Sequence, residues 1–335
     1  MIWRVLRESH QRLCEGMLKY SLGVDCLSAS ARERQDTGKF GERRIMIFDS
    51  ESVFEENVIT VLKQHGWKDG VLRYPTERDL LDNWKDILYR NNNDIDRLGK
   101  YPLTDGEMTQ IIEQIETLRT PLALNSFVNG RTVSITRDNK EDVAHFGKEV
   151  SLYIYDRKEI AGGKSTYQIA QQPVYPAKNK MLNSRRGDLV LLINGMPLIH
   201  IELKKSGIPV SQATNQIEKY AHEGVFTGLF RLVQIFVAMN PDDAVYFANP
   251  GVDKFNPSYY FHWADYNNEP ICGGQNPGKD EWKLFIGGTS GTAGLLSIPM
   301  AHQLIGFYTM LIQRMDALRC CVVISTSRQT PSLMW

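Results

Sequence analysis

The dipeptide Asn194–Gly195 separates two apolar runs, Asp188–Ile193 (D-L-V-L-L-I) and Pro197–Lys204 (P-L-I-H-I-E-L-K). Asn-Gly favours the two-residue hairpin turn, because both turn positions need positive φ. Continuous apolar runs of this length are what strands buried on both faces look like. The chain is therefore expected to build a sheet with this hairpin at its centre. Alternation splits the second arm: Ile199, Ile201 and Leu203 share one face, and His200, Glu202 and Lys204 share the other. A Glu and a Lys two apart in such a strand are costly unless they pair or hold an ion. The turn brings Asp188, at the mouth of the first arm, toward the same face.

Two carboxylates so placed suit a hard divalent cation such as Mg²⁺, which prefers oxygen ligands. Asp188 and Glu202 are the expected metal ligands, with the Leu203 carbonyl and waters beside them. A metal there would lower the pKa of a bound water and neutralise charge on a phosphate. Lys204 would orient or deprotonate that water, or offset charge on the phosphorane. Asp188, Glu202 and Lys204 form the D…ExK pattern of metal-dependent nucleases. The alternative use of the same residues is a buried Asp–Lys or Glu–Lys ion pair that fastens the hairpin. Further on, Gln216 and Tyr220 lie i and i+4 on one expected helix, Gln212–Ala221, and project together. They could fix a phosphate, order the site, or form an ordinary surface pair.

The flanking sequence predicts helices and further strands. From Ser50 or Ser52 to Gly66, Val53 or Phe54, Val58, Val61 and Leu62 recur at helical spacing. Thr76–Tyr89 and Thr104–Arg119 predict two more amphipathic helices, the second ended by Pro121. After Asn129 the period becomes two, in R-T-V-S-I-T and V-S-L-Y-I-Y, and Y-Q-I-A-Q-Q-P-V-Y and Leu232–Ala238 add strand candidates. Strands mixed with helices give an α/β or α+β sheet flanked by helices. Residues 1–45 read as an N-terminal extension, with Met46 a candidate native start. Residues 46–240 form the main domain, 241–309 a connector, and 310–335 an aberrant tail.

The chain has 335 residues and a formal net charge of zero, so it is not a globally basic nucleic-acid binder. Between Lys178 and Lys205, however, six Lys/Arg, Arg185 and Arg186 among them, face two acids, a local patch of the kind phosphate binding uses. No apolar run reaches the ~18 residues of a membrane span. Five cysteines without a pairing framework favour a reducing cytoplasm.

In order and spacing, Asp188, Glu202-Leu203-Lys204 and Gln216…Tyr220 resemble the nuclease domain of type I restriction enzyme R (motor/endonuclease) subunits, members of the PD-(D/E)xK superfamily. The segment F-E-E-N-V-I-T-V-L-K-Q-H-G-W resembles that family's opening helix, whose acidic residue lies near the metal. Glu55 is the best match, with Glu51 and Glu56 as alternatives. The resemblance covers roughly Asp49–Tyr308, and it departs at Gly187, where the superfamily name implies Pro. It implies a PD-(D/E)xK fold and Mg²⁺-dependent cutting of double-stranded DNA. Asp188, Glu202, Lys204 and Glu55 would be catalytic, with Gln216, Tyr220, Arg185 and Arg186 binding DNA or ordering the site. It further implies modification and specificity subunits as partners, and an ATP-driven motor after the nuclease domain. Two other functions fit the same residues: a non-catalytic DNA-binding or assembly fragment, and a stand-alone nuclease.

No ATP site is legible. In A-G-G-K-S-T (Ala161–Thr166) Lys158 stands where the phosphate loop needs its first Gly, and the glycine-rich run Gly287–Gly294 reads as a flexible loop. Leu311–Thr330 has poor periodicity. Back-translated and read one base out of frame, it permits V-L-R-S-Y-Q, which resembles the start of the family's motor, so a frameshift near Met310 is expected.

Overall fold

The computed structural model describes residues 48, 50–155, 165–176, 185–251, 255–265, 267–272, 281–312 and 317–320. The extension 1–45, the phosphate-loop lookalike up to Lys164 and most of the tail lie outside them. All described elements belong to one unit, Ile45–Trp335.

Helix α1 is Glu51–Gln64. Of the two candidate caps Ser50 serves, its hydroxyl accepting from the Val53 N–H at 3.3 Å. Phe54 faces inward and Val53 stays 54% exposed, which settles the phase of the helix. Phe54 packs edge-on to Trp282 of a later helix, Glu281–Gly287, with ring centroids 5.2 Å apart. Each such fully buried side chain contributes about 1.5–3 kcal/mol. Strand β1, Val71–Arg73, follows. Helices α2, Glu77–Asn91, and α3, Asp105–Thr117, open on capping boxes, Thr76 with Asp79 and Thr104 with Glu107. Pro121 does not merely end α3. It opens α4, Pro121–Asn129, behind a Thr120 cap, because the first helical turn does not need the N–H that proline lacks.

Strands β2, Thr132–Thr136, and β3, Glu149–Tyr153, pair only with each other. The ribbon's alternating burial matches its period of two, yet it stands apart from the main sheet. Arg137, just past β2, is buried between Glu107 and Asp142 and ties the ribbon to α3.

The main sheet has six strands in the order β1-β4-β5-β6-β7-β8. Beyond β1 they are β4 Tyr167–Gln171, β5 Leu189–Ile193, β6 Met196–Leu203, β7 Ile235–Met239 and β8 Ala244–Ala248. The β1–β4 and β6–β7 pairs are parallel and the rest antiparallel, so the sheet is mixed. The β5–β6 hairpin turns at Asn194 (φ 51°) and Gly195 (φ 83°), as Asn-Gly requires. A Cβ on Gly195 would lie 2.8 Å from the Trp84 Cα, so the turn is also pressed against α2. Strand β8 lies past residue 240, in the stretch read as a connector, and covers the far edge of the sheet. Helix α5, Val210–Glu223, packs Ala213 and Ile217 against Phe236, Ala238 and Phe247. Ile199, Ile201 and Leu203 face the larger core instead.

Gly287–Gly294 is an ordered turn and not the loose loop expected. Gly288 N–H donates to Leu284 O at 2.7 Å and bridges to Ala293, and a side chain on Gly288 would collide with the Thr292 and Gly294 backbone. Within 310–335 the described pieces extend a backbone hairpin, Thr309–Ile312 with Ala317–Cys320.

Candidate active site

Asp188 immediately precedes β5, and its Oδ2 accepts the Leu203 N–H at 2.7 Å. The two arms of the hairpin are thus fastened at the end where the acids lie. Glu202 is fully buried, and the side chain of Asp188 is its hydrogen-bonding neighbour, close enough for the two acids to share a proton. His200 Nε2 is 3.1 Å from Glu202 Oε1 but outside hydrogen-bond geometry. Burial raises the Glu202 carboxyl to about 8. Asp188 is pushed well above the ordinary carboxylate range, first by burial and then by the Glu202 charge. Two desolvated acids side by side resist holding two negative charges.

Lys204 offsets part of that charge. Its Nζ donates to the Leu203 carbonyl at 2.9 Å and lies 3.6 Å from Glu51 Oε1. The Leu203 carbonyl, expected beside a metal, therefore accepts from the lysine here, with one lone pair left.

The three acids of α1 have separate uses. Glu55 is buried, accepts from Gln171 Nε2 at 2.6 Å and Gln172 Nε2 at 3.2 Å, and is raised by burial, with a contribution from the Asp188 charge. Glu56 pairs with Arg73 at 2.7 Å, and that contact lowers its carboxyl. Glu51 reaches Lys204. Of the three, Glu55 is the buried acid that feels Asp188.

Gln216 donates to the Tyr220 hydroxyl at 2.7 Å, and that hydroxyl donates to the Arg186 carbonyl at 2.8 Å. The pair holds the backbone just before Asp188. Arg185 is tied to Glu223 at 2.8 Å. Arg186 is exposed, its guanidinium 5.9 Å from the Tyr74 ring centre.

Several contributors were not singled out from sequence. Gln171 and Gln172 clamp Glu55. Tyr175 OH and His200 Nδ1 are 2.7 Å apart beneath Glu202, and burial lowers the imidazole to about 4, so His200 is neutral at pH 7. The signal for the clamp was the Gln171–Gln172 pair at the end of the strand Tyr167–Gln171. Gly187, which stands where the superfamily name implies Pro, has a reason: a Cβ there would meet Tyr175 OH at 2.5 Å and His200 Cε1 at 2.8 Å.

Among the described residues no three His, Cys, Asp or Glu side chains converge as a closed metal centre. Mg²⁺ needs no such cage, since it is commonly held by one or two carboxylates with waters. Asp188 and Glu202 side by side fit that demand, because a divalent cation can replace the proton that two buried acids otherwise retain.

A mixed α/β sheet with paired acids and a lysine at its centre is compatible with an α/β nuclease fold, and sequence comparison fixes the family. The chain belongs to the type I restriction enzyme R protein N-terminus family, whose model matches residues 49–255. It is 31% identical over 232 residues to a type I restriction enzyme endonuclease subunit of Staphylococcus saprophyticus, covering 68% of this chain and 22% of the relative. A Staphylococcus aureus counterpart is 32% identical over 228 residues, with 68% and 22% covered. The EcoprrI endonuclease subunit of Escherichia coli is 35% identical over 128 residues, 37% of this chain and 39% of the relative. The chain thus spans about a fifth of the length of the staphylococcal relatives. Among the described residues no helix is long and apolar enough to cross a membrane.

Proposed function

We propose that this chain carries the DNA-cutting site of a type I restriction R subunit, with a PD-(D/E)xK fold and hydrolysis of phosphodiester bonds in double-stranded DNA. The observation that carries this reading is the pair of neighbouring acids, Glu202 and Asp188, both raised by burial at the open end of the hairpin. Asp188 and Glu202 would hold Mg²⁺, which when bound supplies an activated water and neutralises charge on the phosphate. Lys204 Nζ, from the residue that follows β6, orients the attacking water or offsets phosphate charge. Glu55 adds a further carboxylate from α1, its side chain fixed by Gln171 and Gln172. Tyr220 and Gln216 hold the chain leading into Asp188 in place. Modification and specificity subunits as partners, and ATP-driven delivery of DNA by a motor, belong to the same proposal for the complete R subunit.

The test is Mg²⁺-dependent cutting of supercoiled plasmid by the assembled restriction complex. Lys204→Ala in the R subunit is expected to lower cutting at least about 100-fold, with unchanged circular dichroism and subunit assembly. Cutting at the wild-type rate would remove Lys204 from the site.

A further inference from the structure

A cavity of about 210 Å³ lies where the end of α3, the start of α4, the end of α5 and the 3₁₀ turn Gly228–Leu232 meet. Arg119 and Arg231 both line it, over an apolar floor that includes Pro121, Leu124 and Phe226. Arg231 is half-buried and spends Nη2 on the Leu118 carbonyl. Among the described residues no carboxylate forms an ion pair with either arginine. Glu116 is the acid whose charge Arg231 feels, and it does not line the cavity. The remaining polar groups nearby do not neutralise the two cations. The Tyr220 and Ala221 carbonyls at the end of α5 are taken by the Val225 and Gly224 N–H groups. Thr227 also lines the cavity, and its hydroxyl caps nothing in the turn that follows it.

Two like charges facing one concavity repel each other. Burial, and then the Arg119 charge, lowers the Arg231 guanidinium. The bond from Arg231 to the Leu118 carbonyl accounts for one of its nitrogens and does not account for a second arginine on the same wall. An oxyanion in the cavity would reverse the balance, turning repulsion into two charge-assisted hydrogen-bonded pairs. Two guanidinium groups and a hydroxyl among the lining residues suit phosphate, which has enough oxygens to accept from all three.

We propose that the Arg119–Arg231 cavity is a phosphate-binding site, separate from the carboxylate cluster of Asp188 and Glu202. The phosphate group comes either from the backbone of duplex DNA or from a free phosphate compound.

The experiment titrates inorganic phosphate into the full chain without divalent metal, at constant ionic strength balanced with chloride, and reads heat of binding and thermal midpoint. Saturable binding is expected, with roughly a tenfold loss of affinity in Arg231→Met and a several-fold loss in Arg119→Met. Glu202→Gln is expected to bind phosphate as the wild type does, so failure of the nuclease reading would leave this one standing. Arg119 is exposed, so its variant decides the matter should Arg231→Met fail to fold. Absence of saturable binding in the wild type, or unchanged affinity in the folded arginine variants, overturns the proposal. Displacement of bound phosphate by a short duplex assigns the site to the DNA backbone, and lack of displacement assigns it to a free phosphate compound.

Discussion

Two clusters of buried charge sit in this molecule, and they are built on opposite terms. Beside the β2–β3 ribbon, Arg137 bonds Glu107 at 2.6 Å, Asp142 at 3.0 Å and the Tyr101 carbonyl at 2.8 Å. Glu107 also accepts the Thr104 and Asp138 N–H groups, at 2.9 Å each. Both carboxylates there are hydrogen-bonded to one guanidinium, and His145 Nδ1 lies 3.0 Å from Asp142 Oδ1. At the centre of the sheet, Glu202 is buried as deeply, yet its neighbour is a second raised acid, Asp188, and the nearby lysine gives its hydrogen bond to a carbonyl. Buried acids are common to both. Only the second leaves something to be supplied from outside, and that separates a site from a fastening.

The largest expected effect tests the Arg137 cluster. Arg137→Met would leave Glu107 and Asp142 buried without their cation, at a cost of about 3–5 kcal/mol in urea unfolding, and Mg²⁺ should not recover it. A loss below about 1 kcal/mol would break the comparison from that side.

Glu202→Gln is expected to do the reverse. Without metal at pH 8 it should stabilise the fold by an amount on the order of a few kcal/mol, while losing any gain on adding Mg²⁺. Destabilisation by the same change would mean that the hydrogen bond to Asp188 outweighs the cost of burying the acid.

The sign with pH follows from the raised Glu202 carboxyl, about 8 against an ordinary 4.5. Below the lower value the acid is protonated in both folded and unfolded chains and costs nothing. Between the two, the unfolded chain releases a proton that the folded chain keeps, so stability falls as pH rises and levels off above about 8. The difference in unfolding free energy between wild type and Glu202→Gln should trace this window. Mg²⁺ affinity, measured by calorimetry, should climb through it as protons leave the acids. A flat difference curve would contradict the burial of Glu202.

The smallest effect belongs to Tyr220→Phe, which removes one hydroxyl bridging Gln216 and the Arg186 carbonyl. About 1 kcal/mol of stability is expected to go. Slower cutting with unchanged Mg²⁺ affinity would mark Tyr220 as a positioning residue.

Much of this arrangement was legible in the chain because it is local. Asn194–Gly195 announced the hairpin, and alternation placed Glu202 and Lys204 on one face. Thr76 and Thr104 announced their helices through residues three positions on. What could not be read depends on distant packing. Strand β1 is three residues long and is defined by pairing with β4, far along the chain. That Gln171 and Gln172 hold Glu55 follows from where α1 docks, and no local pattern encodes it. The isolation of the β2–β3 ribbon and the addition of β8 to the sheet are likewise matters of tertiary choice, for which periodicity carries no signal.

The turn at Asn194–Gly195 also has a consequence in time. Asp188, Glu202 and Lys204 are joined through a single hairpin, a unit that forms on the order of microseconds. Glu55 arrives by contacts with Gln171 and Gln172 that span 116 and 117 residues, and closures of that range come late. A newly made chain would therefore assemble three quarters of its proposed cutting site early and gain the last acid only when α1 docks. For a protein proposed to sever DNA, completion of the fold then acts as its own safety catch.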